Sequence, residues 1–141
     1  MTAYTLLFTL AAIGISETVY LIRQRKLEEK PICPIGGGCA KVLTSPYNRI
    51  FGMHNDVLGL FFYSWTAFLS ALIVIGIQPI EAWFVFVILN VSTAAIMSAY
   101  FVFLQWRVIK AWCFWCLMSA ATVACMALII LSEQLDLLKP L

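Results

Sequence analysis

Four apolar runs, each long enough to cross a lipid bilayer as a helix, dominate this 141-residue chain. They cover residues 4–22, 57–77, 82–104 and 111–131. At about 1.5 Å of rise per residue, each run matches a hydrocarbon core of about 30 Å. Charged residues make up only 11% of the chain, whereas they are roughly a quarter of an ordinary soluble domain. The sequence therefore excludes a soluble globular domain and predicts an integral membrane protein.

The membrane spans are predicted to be helices. Backbone polar groups in lipid must find partners within the protein, so only helices and closed barrels span a bilayer. Barrel strands would alternate apolar and polar residues, and these runs are continuously apolar. We predict an all-α fold: a single-domain bundle of four transmembrane helices over residues 1–141, with one polar loop at residues 23–56.

The polar loop carries most of the charge and a run of three glycines. Residues 23–30 are predicted to continue the first helix into solvent, until Pro31 and Pro34 break it. The segment 36–38 is all glycine and is flanked by Cys33 and Cys39. Because glycine adopts backbone conformations that other residues resist, the two cysteines can approach one another or separate.

A second cysteine pair, Cys113 and Cys116, opens the fourth apolar run in a Cys-Phe-Trp-Cys motif. If four helices alternate across the bilayer, the first loop and the link between the third and fourth helices lie on the same side. Both cysteine pairs are therefore predicted to face one membrane surface, where a disulfide can pass from one pair to the other.

Thiol chemistry is consistent with these positions. The thiolate is the reactive form of cysteine, and a helix N-terminus favours it through unpaired amides and the helix dipole. Arg107 and Lys110 add positive charge beside the second pair. Exchange through mixed disulfides then moves electrons between pairs, and Cys116, one turn deeper, is placed to meet a lipid-soluble electron acceptor.

Two other interpretations of the cysteines stay open at this point. Four thiolates can hold a structural zinc ion, although the aromatic surroundings of the second pair favour no metal site. The cysteines can also be packing residues. The fifth cysteine, Cys125, is unpaired and is interpreted as a small apolar filler.

The combined pattern resembles the vitamin K epoxide reductase family from the first helix to the fourth. The residues that carry the resemblance are Cys33 and Cys39 with five residues between them, Val42, Ser45, Phe51-Gly52, Leu58-Gly59, Phe62-Tyr63, and the pair Cys113 and Cys116. The resemblance implies a four-helix bundle around a quinone pocket. The short spacing of the first pair looks like prokaryotic members, which oxidise a thioredoxin-like partner and reduce a quinone.

Roles follow from the resemblance by matching position. Cys33 would exchange with the partner, Cys39 would pass electrons to Cys113, and Cys116 would transfer them to the quinone. The other implied quinone contacts are Ser45, Asn55 and Phe62. The expected activity is that of a quinone-dependent thiol oxidase that drives disulfide formation, and the residues leave open the type of quinone and the reduction of quinone epoxides.

Two departures from the family pattern are visible. Some relatives have a tyrosine four residues after the last cysteine of the CxxC motif, where this chain has Ala120. Prokaryotic relatives often carry a fused thioredoxin-like domain, which these 141 residues do not contain. The expected partner is therefore a separate thioredoxin-like protein.

Several polar and aromatic residues have two interpretations each. Glu17 lies inside the first span, and an intramembrane carboxylate indicates function by default, yet it can also reach the interface from near the helix end. His54 is either a proton donor to the quinone or a solvated loop residue. Trp106, Trp112 and Trp115 either wall the pocket or anchor the chain at the interface.

A different class of function also fits part of the sequence. A small four-helix transporter would use Glu17 as a proton-exchange carboxylate. That hypothesis explains neither cysteine pair nor the glycine run. No nucleic-acid-binding motif is present, and the basic loop is better explained by membrane topology and anionic lipid.

The distribution of basic residues predicts an orientation in the membrane. The cysteine side carries eight positive side chains, and the opposite side has only Lys139. The eight are Arg23, Arg25, Lys26, Lys30, Lys41, Arg49, Arg107 and Lys110. Since cytoplasmic loops are enriched in Lys and Arg, we predict a multi-pass cell-membrane protein whose cysteines face the cytoplasm, inverted relative to typical family members.

Overall fold

The computed structural model describes residues 2–139, and four of its helices are long and apolar enough to cross a membrane. The first three are α1 (Thr2–Lys26), α3 (Asn55–Ile75) and α4 (Ile80–Leu104), and the last is α5 (Phe114–Leu138). A π-helical turn, Gln105–Ile109, continues α4. The all-α membrane bundle predicted from hydropathy is therefore confirmed.

The four long helices pack as a ring. Helix α1 contacts α3 and α5, and α4 also contacts α3 and α5. Glycines allow the closest approach between α1 and α3: a Cβ on Gly14 would overlap the Tyr63 ring, and one on Gly59 would lie 3.0 Å from Thr18. Small residues at such contacts are typical of helices in membranes, where close van der Waals packing drives association.

The inside of the ring and its outer surface are both apolar. The largest fully buried side chains of the core include Leu7, Tyr63, Leu69, Ile73 and Met126. Large apolar side chains also cover the outer faces of the helices, including Phe61, Leu89, Ile96 and Leu128. A surface of this kind is stable against lipid tails and not against water.

The polar loop contains more regular structure than the sequence indicated. Short helix α2 (Gly38–Leu43) follows the glycines, and a 3₁₀ turn (Pro46–Asn48) leads into an antiparallel hairpin of strands β1 (Arg49–Ile50) and β2 (Met53–His54). The hairpin then enters α3 directly. This compact loop packs on the end of the bundle where α4 passes into α5.

Helix boundaries differ from the predicted spans by a few residues. Helix α1 extends through the charged residues to Lys26, and α3 ends where Gly76 takes a left-handed conformation with φ of 81°. The fourth span begins at Phe114, three residues after the predicted start at Ala111. The reason is local: Lys110 is left-handed with φ of 54°, and Cys113 is extended as the N-cap of α5.

Candidate active site

The first cysteine pair forms a disulfide across the glycine turn. Cys33 and Cys39 are bonded with their Cα atoms 5.9 Å apart. Gly36 and Gly37 turn the chain with φ of 69° and 77°, a region that disfavours residues with a Cβ. Cys39 is fully buried and Cys33 is partly exposed. The disulfide therefore presents one sulfur to solvent and one to the protein interior.

The second pair lies against the buried side of this disulfide. Cys39, Val42 and Cys113 form one buried cluster, and Cys33 and Cys116 are partly buried against it. Gly38 enables the contact, since a Cβ there would overlap the backbone carbonyl of Trp112. All four cysteines of the two motifs are thus brought together on one side of the bundle, as the topology predicted.

Hydrogen bonds fix Cys113 at the start of α5. Its backbone N–H donates to Oε1 of the buried Gln105 over 2.9 Å, and its Sγ accepts from the backbone N–H of Cys116 over 3.4 Å. The hydrogen bond from the Cys116 side chain and the backbone N–H groups of Cys116 and Trp115 lower the pKa of Cys113, although burial opposes them. Cys113 is therefore the member of the pair that ionises first.

Two aromatic residues hold the segment that leads into Cys33. The backbone N–H of Ile32 donates to the Tyr20 hydroxyl over 3.2 Å, and the Ile32 carbonyl accepts from Nε1 of Trp115 over 2.8 Å. The rings of Tyr20 and Trp115 lie 4.6 Å apart. Since Tyr20 belongs to α1 and Trp115 to α5, this contact ties the disulfide loop to both helices.

A cavity of about 310 Å³ lies directly below the cysteines, within the helix ring. Its volume falls in the range of small-molecule sites, which are mostly apolar with a few placed polar groups. Apolar walls come from residues such as Leu58, Phe62 and Val123. Cys116 lines this cavity, whereas the disulfide-bonded Cys33 and Cys39 do not.

The residues expected to contact a quinone all line this cavity. They are Ser45, Asn55, Phe62 and Cys116. The hydroxyl of Ser45 donates to the Val42 carbonyl over 2.7 Å, which fixes the turn after α2. Asn55 is the first residue of α3 and lies at the end of the cavity nearest the loop. Apolar walls with an amide and hydroxyls at one end suit an aromatic carbonyl compound.

Comparison with known proteins identifies the family. The sequence profile of the Vitamin K epoxide reductase family matches residues 5–131. The chain belongs to this family. An Arabidopsis thaliana protein named Thiol-disulfide oxidoreductase LTO1 is 34% identical over 110 residues, which cover 74% of this chain and 29% of that protein. The chain thus spans less than a third of the length of that relative.

Two hydroxyl groups lie beside Ala120, the position where some relatives have a tyrosine. Ala120 lines the cavity without a polar group. The adjacent Ser119 pairs with Tyr63, whose hydroxyl lies 2.7 Å from Ser119 Oγ. Sequence reasoning missed both residues, because a tyrosine in an apolar run is usually core. The signal available was the position of Tyr63 in the quoted Phe62-Tyr63 motif of the vitamin K epoxide reductase family.

Glu17 and Trp115 line the cavity, whereas His54, Trp106 and Trp112 do not. Glu17 is 8% exposed, so it does not reach the interface. Trp106 and Trp112 lie on the outer surface, as expected of interfacial anchors. His54 is the N-cap of α3 and lies outside the cavity. Burial, followed by the nearby Arg25 and Arg49, lowers the pKa of His54.

The zinc and packing interpretations of the cysteines can be compared with their placement. Cys33 and Cys39 are bonded to each other and cannot serve as thiolate ligands in this state. Among residues 2–139, no three His, Cys, Asp or Glu side chains are grouped to hold a metal ion. Cys125 is exposed on the outer face of α5, so the interpretation of it as a filler of the core is wrong.

An ion pair closes the loop end of the bundle. Arg25 at the end of α1 lies 3.2 Å from the Asp56 carboxylate at the start of α3, and the Asp56 side chain is only 5% exposed. A second oxygen of Asp56 accepts from the backbone N–H of Val57. This pair fixes the first turn of α3, which places Asn55 at the cavity.

Proposed function

We propose that this protein is a membrane thiol oxidase. Electrons pass from a separate thioredoxin-like protein through Cys33 and Cys39 to Cys113 and Cys116, and from there to a quinone. The observation that carries the proposal is the single cluster in which buried Cys39 meets buried Cys113 above a cavity lined by Cys116. Family membership and the thiol-disulfide oxidoreductase name of the Arabidopsis relative support a membrane thiol oxidoreductase.

The first step is exchange with the partner. A thiolate of the partner attacks the partly exposed Sγ of Cys33 and releases Cys39 as a thiolate, because Cys39 is inaccessible from solvent. The second thiol of the partner then resolves the mixed disulfide. The partner leaves oxidised, and Cys33 and Cys39 are both reduced.

The second step moves the two electrons inward. The Cys39 thiolate attacks Cys113 of an oxidised Cys113–Cys116 pair, and Cys116 leaves as a thiolate. The Cys33 thiolate then attacks Cys39 in the Cys39–Cys113 disulfide. This step restores the Cys33–Cys39 disulfide and releases Cys113 in its reduced form. A bonded Cys33–Cys39 pair with free Cys113 and Cys116 is consistent with the product of this step.

The cavity suits a quinone as the acceptor. A bound quinone supplies a two-electron acceptor beside Cys116. Phe62 and Val123 provide apolar walls, and Asn55 provides an amide that can donate a hydrogen bond to a carbonyl oxygen. The Tyr63 and Ser119 hydroxyls form a second polar point.

The proposal is tested by anaerobic quinone reduction with purified protein and a reduced thioredoxin-like partner. Wild type should turn over, and Cys33→Ala and Cys116→Ala should each abolish turnover with the partner. Dithiothreitol, which is small enough to enter the cavity that Cys116 lines, should restore turnover to Cys33→Ala and not to Cys116→Ala. Cys125→Ala is the matched control and should match wild type. Turnover by Cys116→Ala would contradict the proposal.

We also propose that the cysteine end faces the cytoplasm. The eight positive side chains lie on the end of α1, the loop and the link before α5, all at the end of the bundle that carries the cysteines. Positive loops are retained in the cytoplasm during insertion. The orientation is compatible with disulfide chemistry only in a cell whose cytoplasmic proteins carry disulfides, as in hyperthermophiles.

A further inference from the structure

The cavity contains a carboxyl group that has no role in the thiol exchange. Glu17 is more than nine-tenths buried on α1, at 8% exposure, and lines the same cavity as Cys116. Its Oε2 atom is buried and has no hydrogen-bond partner among residues 2–139. The nearby arginine at the end of α1, Arg25, is paired with Asp56 instead. An unpaired carboxylate is costly in such surroundings, which favours the neutral carboxyl.

The position of Glu17 is fixed by close packing between α1 and α3. Gly14 receives the Tyr63 ring, and Thr18 packs on Gly59. Glu17 lies between these two contacts in sequence and interacts electrostatically with Tyr63. The Tyr63 hydroxyl is in turn hydrogen-bonded to the Ser119 hydroxyl on α5. Glu17 and this hydroxyl pair therefore border the same part of the cavity.

A proton count gives a carboxyl a role there. Cys113 is the N-cap of α5, and its Sγ accepts from the backbone N–H of Cys116, which favours its thiolate. A reduced pair in this state holds a Cys113 thiolate and a Cys116 thiol. Formation of their disulfide releases two electrons and one proton. Reduction of a quinone to its quinol takes up two electrons and two protons. In this state the cysteine pair supplies one proton too few.

We propose that Glu17 donates this second proton to the reduced quinone, an inference that rests on the quinone reduction proposed above. The carboxyl of Glu17 loses its proton as the Cys113–Cys116 disulfide forms and the quinol leaves. It then regains a proton from water at the loop end of the cavity, where Ser45 and Asn48 line the wall. Electrons and protons balance without any other acid.

The first test does not depend on turnover. Dicyclohexylcarbodiimide is an apolar reagent that couples to protonated carboxyls in apolar surroundings. Folded wild-type protein in lipid nanodiscs should acquire the adduct at Glu17 at neutral pH, and a menaquinone or ubiquinone analogue should slow the reaction by occupying the cavity. Peptide mass spectrometry locates the adduct. Absence of an adduct at Glu17 would overturn the proposal.

The second test measures the rate of quinone reduction with dithiothreitol as donor. Glu17→Gln should lower the rate at least about tenfold, since general acids contribute roughly 10²- to 10⁴-fold. Glu17→Asp should retain a larger part of the rate. The matched control is Glu81→Gln, which removes an exposed carboxyl at the start of α4 and should leave the rate unchanged.

A third measurement separates loss of a proton donor from loss of the fold. Disulfide exchange between the two cysteine pairs, followed without quinone by mass spectrometry of alkylated thiols, should stay within about twofold of wild type in Glu17→Gln. A Glu17→Gln rate of quinone reduction equal to wild type overturns only the role of Glu17. Wild type that reduces no quinone overturns the proposed function and this inference together.

Discussion

At the scale of single residues, the two cysteine pairs differ in which sulfur can react. Cys33 is partly exposed and Cys39 is buried, so the proposed partner could attack the Cys33–Cys39 disulfide only at Cys33. In the inner pair, the N-cap position and the Cys116 hydrogen bond favour the thiolate of Cys113. Burial and hydrogen bonding thus favour the direction of the proposed relay, from solvent to the cavity.

The thiolate of Cys113 should depend on the donor at position 116. In a protein with Cys33→Ser, Cys39→Ser and Cys125→Ala, we expect Cys116→Ser to ionise Cys113 at lower pH than Cys116→Ala. The serine hydroxyl can still donate to the thiolate, and a hydrogen bond to the charged form lowers its pKa. Ultraviolet absorbance of the single remaining thiolate across a pH series measures this. Equal midpoints in the two variants would contradict the role of Cys116 as donor.

The sequence was sufficient to predict the cysteines of the site from their spacing. It was not sufficient to predict the residues that hold those cysteines in place. The cysteines were found because paired thiols are rare in an apolar chain. Gln105 was not, because its contact with the Cys113 backbone depends on a π-helical turn that hydropathy does not show. Glu17 could face the interface or the interior, and only the rotation of α1 against α3 decides between them.

At the scale of secondary structure, hydropathy predicted all four long helices and missed the organisation of the loop. Apolar length is sufficient to specify a span, so the helices follow from composition alone. Helix α2 has only six residues and depends on the disulfide and on packing against the α5 link. The start of α5 moved to Phe114 because an N-cap requires an extended residue, and Cys113 takes that conformation.

The contact between α2 and the α5 link should control transfer between the pairs. In a Cys33→Ala, Cys116→Ala protein, oxidation with diamide should trap a Cys39–Cys113 disulfide. Adding Gly38→Ala should reduce its yield several-fold, because the new Cβ overlaps the Trp112 carbonyl and such overpacking costs about 1–3 kcal/mol. Mass spectrometry of unreduced peptides measures the yield.

Gly36→Ala is the matched control for this experiment. Gly36 has φ of 69°, so alanine strains the turn, but a Cβ there meets nothing within 4 Å. The strain should lower overall stability without moving α2 away from the link. Yields that fall equally in both variants would mean that loop strain, and not the contact at Gly38, limits transfer.

At the scale of the whole molecule, one end of the bundle holds both the redox groups and most of the positive charge. The ring of four helices leaves a cavity beside Cys116, so the proposed electron and proton transfers would occur at the same end of the bundle. The fold alone does not determine which membrane face this end occupies, because a four-helix bundle is stable in either orientation.

Charge asymmetry makes orientation the decisive prediction at this scale. We expect a membrane-impermeant maleimide to label Cys33 only after cells are permeabilised, in a protein whose other four cysteines are alanine. The control replaces all five cysteines by alanine and adds Gln78→Cys in the exposed turn between α3 and α4, on the opposite face. That cysteine should label in intact cells, because the positive side chains hold the other face in the cytoplasm. The reverse labelling pattern would place the cysteines outside and leave the eight positive side chains as an attraction for anionic lipid.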